Sequence, residues 1–265
     1  MTPTTGVIFR PQSSPEDLRS TVEAADQAGV AELWLWEDCF FEGGLTTATA
    51  ALSWSDRLRV GIGILPVPLR NPALTAMEIA TLSRLFPGRF VPGLGHGVLP
   101  WMRQVGAGVD SPMTLLREHV SVVRDLLAGR TVDVQGRYVH LDDVTLDWPP
   151  QQPPELILGA RGPRTVALAG EVADGAVLDV ADLDKVREVR SWLDEARAAA
   201  GRDGRSRLVV NAAVEVQQDH SGLSSRVADE VGALRDAGAD TVALFSADDD
   251  APDPRPLIEA LADLR

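Results

Sequence analysis

Two adjacent carboxylates, Glu37 and Asp38, follow the apolar run Leu33-Trp34-Leu35-Trp36. A carboxyl at the end of a strand can carry a proton or orient a polar group. Neighbours on extended backbone point to opposite sides, so the pair is expected to send only one member into a common pocket. The plain alternative is that such an acid receives backbone amides of its own loop. His96, in Gly93-Leu94-Gly95-His96-Gly97, is the other proton-handling candidate. A histidine has its ordinary pKa near neutrality, about 6.5, and so ranks slightly ahead of the carboxyls as donor, with Asp38 orienting. Cys39 stands directly behind two acids, which disfavours its thiolate. The only lysine, Lys185, sits in a charged helical run and reads as surface, and the four histidines show no ligand spacing, so no metal is expected.

Other segments look built to bind. Gly93 and Gly95 remove side chains where a flat ring could approach the backbone, although a tight exit from a strand would use them equally well. The spacing is not that of a nucleotide fingerprint. In Gly159-Ala160-Arg161-Gly162-Pro163-Arg164, Pro163 can open a helix, so that amides near Gly162 and Arg164 carry a positive dipole toward the strand ends. A phosphate suits that place, and Arg161 and Arg164 add forked donors. Trp36, Phe40, Phe41 and Trp101, with Leu99 and Met102, offer apolar or aromatic lining for a guest, or packing for a lid.

The elements that must position these residues alternate along the whole chain. Strands are expected at 6–9, 32–36, 59–65, 89–94, 155–159, 175–178, 208–214 and 241–245, with amphipathic helices between them. Ser14 is expected to cap the first helix ahead of Pro15. The strands are mostly continuous in apolar residues, as when helices cover one face and a packed interior the other. Eight such units in 265 residues predict an α/β fold, a single (β/α)₈ TIM barrel over 1–265. Between its fourth and fifth strands lies an excursion, 97–154, with a helix at 113–127 and a hairpin turning at Gln135-Gly136. Pro92 cannot donate within a barrel strand, so a bulge is expected beside it. In such barrels the loops leaving the strand C-termini build the site, and all of the candidates above lie on those loops.

Composition narrows the partners. With 25 basic and 39 acidic residues the net charge is −14, which repels a nucleic-acid backbone. Met1-Thr2-Pro3-Thr4-Thr5 has no leader-like character, no apolar run reaches membrane length, and the lone cysteine accords with a reducing compartment. The expectation is a cytoplasmic protein that takes a small molecule, binds neither nucleic acid nor membrane, and leaves a homodimer open.

Taken together and in order, several segments resemble the bacterial-luciferase-like oxidoreductases. They are Leu33-Trp34-Leu35-Trp36-Glu37-Asp38, then Val60-Gly61-Ile62-Gly63-Ile64-Leu65-Pro66, then Pro87-Gly88-Arg89-Phe90-Val91-Pro92-Gly93-Leu94-Gly95-His96-Gly97, then Ile157-Leu158-Gly159-Ala160-Arg161-Gly162-Pro163-Arg164-Thr165. The resemblance implies a barrel that holds the deazaflavin coenzyme F420, favoured, or FMN, at the strand C-termini. It implies a bulge with a non-proline cis peptide behind the ring around Gly63, Ile64 and Leu65, and a phosphate loop at Gly159, Ala160, Arg161, Gly162, Pro163 and Arg164. The activity implied is hydride transfer between the reduced cofactor and a small apolar substrate. An FMN-dependent monooxygenase using O₂ and a non-catalytic flavin-binding protein are the alternatives, with sugar-phosphate isomerisation on the same fold behind them. Many deazaflavin-dependent members carry Asp-His after the second strand, where this chain has Glu37-Asp38-Cys39.

Overall fold

Eight short apolar strands cannot bury both faces in an open sheet without covering layers, and here they close on themselves. In the computed structural model, which describes residues 4–217, 219–247 and 252–264, the strands form a closed parallel barrel. Met1 to Pro3, part of the leader reading, lie outside the described residues. The barrel strands are β1 (Thr4–Phe9), β2 (Glu32–Leu35), β3 (Arg59–Pro66), β4 (Phe90–Gly95), β7 (Ile157–Gly159), β8 (Gly175–Leu178), β9 (Arg207–Val214) and β10 (Thr241–Ser246). Their order around the barrel is β1-β10-β9-β8-β7-β4-β3-β2, so β3 stands opposite β9, and β4 opposite β10. A separate antiparallel pair, β5 (Val132–Gln135) and β6 (His140–Val144), is the hairpin of the excursion.

Helices α1 (Leu18–Gln27), α2 (Gly44–Ser53), α3 (Pro72–Leu85), α6 (Pro163–Val172), α7 (Leu183–Ala199), α8 (Leu223–Ala237) and α9 (Arg255–Ala262) cover the outside, while α4 (Leu99–Gln104) and α5 (Pro112–Leu127) belong to the excursion. The apolar stripes of α7 and α8 are buried as their spacing requires, with Val186, Val189 and Leu193 on one and Val227, Val231 and Leu234 on the other. Ser14 makes no capping bond. Its hydroxyl turns to Glu16, and a 3₁₀ turn over Pro15–Asp17 leads into α1 instead.

Inside the barrel the side chains stack in layers. The middle layer is apolar, with Ile8, Trp34, Val91, Ile157, Val209 and Ala243 in one buried cluster. Below it, at the N-terminal ends of the strands, Glu32 is 1% exposed and meets Arg59 and Arg207. These ion pairs occupy the N-terminal end of the barrel among the described residues, and the main cavity opens at the C-terminal end.

The hairpin turns later than its sequence indicates. Glu118 of α5 accepts the amides of Arg137, Tyr138 and Val139 at 2.8, 2.9 and 3.1 Å, which draws those residues out of the ladder and starts the second strand at His140. The irregularity expected beside Pro92 is present, but the extra residue lies on the neighbouring strand. Ile62 pairs with Pro92 and Leu65 with Leu94, so β3 spends one residue more than β4 over that interval.

Candidate active site

At the C-terminal mouth of the barrel lies a cavity of about 550 Å³, within the size range of sites for small molecules and cofactors. Its β3 wall is made by the bulge. The Gly63–Ile64 peptide is cis, as the resemblance implies, and Ile64 lies across β4 and β7. A Cβ on Gly95 would meet the Ile64 side chain at 2.8 Å, and one on Gly159 would meet it at 3.0 Å. Those glycines therefore make room for Ile64, which forms the platform, rather than for a ring against bare backbone. Gly93 does not reach the cavity at all, because a Cβ there would run into the Ile62 carbonyl at 2.2 Å. Leu65 is fully buried in the outer core and also stands away from the cavity.

The exit of β2 divides its two acids by function. Glu37 borders the cavity, but Arg70 grips its two oxygens at 2.5 and 2.7 Å and the Gly44 amide donates to one of them at 2.7 Å. Glu37 is thus the acid that receives loop donors, and it has no free oxygen positioned to pass a proton. Asp38 also borders the cavity and has no hydrogen-bond partner for its carboxyl among the described residues. Burial raises its pKa above the ordinary carboxylate value. Burial likewise lowers the pKa of His96, with the Pro112 backbone opposing, and its Nδ1 is buried without a partner. This favours neutral imidazole, which weighs against His96 as the proton donor. The Cys39 thiol is pushed up by burial and by the carboxylates of Glu37 and Asp38, which disfavours a nucleophilic thiolate.

Aromatic lining is only partly where the sequence places it. Trp36 and Trp101 border the cavity, and Trp36 packs edge-on against Phe245 with ring centroids 5.1 Å apart. Phe40 and Phe41 do not line it. The chain turns after Asp38, with the Phe41 amide donating to the Asp38 carbonyl, and leaves these rings 61% and 54% exposed. Met102 is buried and borders a smaller neighbouring cavity together with Leu99.

The β7 exit offers backbone donors at the cavity wall. Gly159, Ala160, Arg161 and Gly162 border the cavity, and α6 begins at Gly162 with no side chain capping it and no atom within 4 Å of where a Cβ would stand. Free amides and a positive dipole face an open space there. Pro163 opens the helix behind the cavity wall, and Arg164 is exposed and does not border the cavity. Arg161 is already engaged by Asp179 through bonds of 3.0 and 2.8 Å.

Several lining residues escaped the sequence reading: Asp179, Val177, Asn211 and Phe245. Asn211 did leave a signal. It is the one polar residue within Leu208-Val209-Val210-Asn211-Ala212-Ala213-Val214, and period-two alternation from the interior residue Val209 turns it inward.

Comparison with known proteins gives the same picture. The family described as luciferase-like monooxygenase matches residues 2–251. A 5,10-methylenetetrahydromethanopterin reductase of Methanolobus tindarius is 26% identical over 200 residues, 76% of this chain and 61% of that protein. The chain spans about three-fifths of the length of the first curated relatives it matches, at 61% and 59%. Among solved structures, an F420-dependent secondary alcohol dehydrogenase in complex with an F420–acetone adduct superposes with a TM-score of 0.83 at 19% identity, covering 99% of this chain and 98% of that one. The oxygenating constituent of 3,6-diketocamphane monooxygenase from Pseudomonas putida, in complex with FMN, gives 0.79 at 19%, covering 99% and 96%. At such identities these structures establish a shared fold. Among the described residues, no helix is long and apolar enough to cross a membrane.

Proposed function

The chain belongs to the luciferase-like monooxygenase family, and from that premise we propose that it is an oxidoreductase holding coenzyme F420, or alternatively FMN, at the mouth of its barrel. The observation that carries the reading is the Ile64 platform beneath a cavity that ends at the uncapped start of α6. A flat ring has an apolar surface to lie on, and its phosphate has backbone amides to meet. Ile64, Gly159, Ala160 and Gly162 would hold the cofactor, with Arg161 adding charge at the phosphate. The choice of the deazaflavin is supported by an F420-dependent glucose-6-phosphate dehydrogenase of Kineococcus radiotolerans, which is 31% identical over 181 residues, 63% of this chain and 53% of that protein.

Bound there, the cofactor supplies hydride transfer to or from a substrate carbon. The protein supplies position, exclusion of water and a proton. Trp36, Trp101 and Phe245 give the space beside Ile64 apolar walls, which suits a small apolar organic substrate. Asp38 holds the proton: its carboxyl is unpartnered, faces the cavity and is pushed by burial toward the protonated form. Neutral His96 orients a polar group nearby, and Glu37 with Arg70 braces the loop that carries Asp38. A cytoplasmic setting accords with the lone Cys39, which has no second cysteine to pair with.

Titration of the purified protein with F420 and with FMN, followed by absorbance, tests the reading, and turnover of the reduced cofactor with carbonyl and alkene acceptors extends it. Saturable binding of F420 tighter than that of FMN is expected. Binding of neither would overturn the proposal, and binding without any turnover across acceptors would leave a carrier protein in its place.

A further inference from the structure

Asn211 lies on β9, opposite the bulged strand, and is 5% exposed. It borders the cavity beside Val177 and Phe245, while Ala243, its register partner on β10, belongs to the apolar layer. Its Oδ1 is buried without a hydrogen-bond partner, and no bond from its Nδ2 is present among the described residues. Buried amides are nearly always paired, so one left unpaired at the bottom of a cavity needs a partner from outside the chain. It is also costly to the free protein. A neutral side chain of similar size, such as leucine, would fill the same space without that penalty.

We infer that Asn211 is a ring-reading residue, whose amide pairs with the polar edge of the bound cofactor where a carbonyl stands beside an N–H. The inference rests on the cofactor reading above. An amide carries a donor and an acceptor on one flat group and answers such an edge at both atoms. Depth favours the cofactor over the substrate as partner. Asn211 follows the interior residue Val209 by one inward-facing position and lies across the barrel from the strand that carries Ile64, so a flat ring lying on Ile64 is the part of a guest placed to reach it.

The test measures equilibrium binding of F420 and of FMN by absorbance and fluorescence, alongside thermal melting of the cofactor-free protein, for the unaltered chain, Asn211→Leu and Asn211→Ala. Loss of one buried hydrogen-bonding group should weaken cofactor binding about tenfold and shift the absorption band of the bound ring. The cofactor-free Asn211→Leu protein should melt at the same temperature or higher. A merely structural amide would give the reverse, a lower melting temperature with affinity and spectrum unchanged, and would overturn the inference. Should Asn211→Leu not fold, Asn211→Ala decides on the same readouts, since it adds no bulk. Unchanged cofactor affinity with a changed KM would transfer the amide to the substrate and also overturn it. If the unaltered protein binds neither ring, the cofactor reading itself fails, and this inference with it.

Discussion

The two ends of the barrel treat buried polar groups in opposite ways. At the N-terminal end, Glu32 accepts from the Trp34 indole at 3.1 Å, from Arg59 at 2.8 Å and from Arg207 at 2.5 Å. Arg207 also donates to Glu155 at 2.7 Å and to the Thr241 hydroxyl at 2.8 Å, and within this cluster, among the described residues, the Arg59 Nε alone is left without a partner. At the C-terminal end the Asp38 carboxyl, His96 Nδ1 and Asn211 Oδ1 all lack partners within a single cavity. The same fold therefore satisfies its charges where it must close and withholds satisfaction where it must bind. Stability and chemistry are separated by the length of a strand.

Removing one group from each end should expose that division. Asp38→Asn takes away the proton while keeping the shape, and is expected to slow the proton-dependent step by about 10²–10⁴-fold with cofactor still bound. A buried carboxyl with a raised pKa destabilises the fold as pH rises through that pKa, so this variant should be no less stable at neutral pH, and higher in melting temperature if anything. Single-turnover oxidation of reduced cofactor, with a melt in parallel, measures both, and a normal rate would take the proton away from Asp38. Glu32→Gln should do the opposite. It leaves Arg59 and Arg207 short of one buried negative charge, and breaking such a network typically costs about 3–5 kcal/mol. Denaturant unfolding would show the loss. A stable Glu32→Gln protein with impaired cofactor binding would contradict the division of labour.

Acid sensitivity belongs to neither end. His119 on α5 is fully buried, neither ring nitrogen has a partner, and its pKa is lowered to about 4 by burial and by the nearby charge of Arg70. The unfolded chain binds a proton at this residue near pH 6.5 and the folded chain does not until about 4. Stability is therefore full above the upper value and falls as pH drops between the two. The linkage amounts to about 3 kcal/mol by pH 4. His119→Leu should flatten that decline in a pH series of unfolding curves, and an unchanged acid slope would assign the loss elsewhere.

How far all this was legible in the sequence follows from which interactions are local. The eight strands were readable because each is a short apolar run with its own turn signals, and β2 and β9 fall within a residue of their expected limits. Alternation along an extended chain is expected to send only one of the two acids into the pocket, but both border it. Which of them is left available was not readable. The choice depends on Arg70, more than thirty residues away in sequence, whose guanidinium takes Glu37. Of the two glycines read as making room for a ring, Gly93 stands away from the cavity and Gly95 borders it but was given the wrong occupant, since what fills the space there, as at Gly159, is Ile64 from another strand. Phe40 and Phe41 were misplaced because an aromatic pair beside a site looks the same in sequence whether its loop turns inward or outward.

The smallest expected effect is at the rim, where the contrast between the ends is least sharp. Arg161 and Asp179 are paired but about three-fifths exposed, at 62% and 63%. Solvent screens such a pair, so its influence is a few-fold at most. Its direction still discriminates between cofactors. Asp179 offsets the charge that Arg161 would offer to a phosphate, and its own charge repels a phosphate that approaches. The terminal phosphate of FMN carries close to two charges at neutral pH, while the phosphodiester of the deazaflavin carries one at that position. Asp179→Asn should therefore strengthen FMN binding about two- to fivefold and F420 binding by less, narrowing the preference between them at low salt. Raising the ionic strength should erase the difference. Equal gains for both cofactors would mean that the pair does not stand at the phosphate, and weaker binding of both would mean that Asp179 serves to hold Arg161 in position.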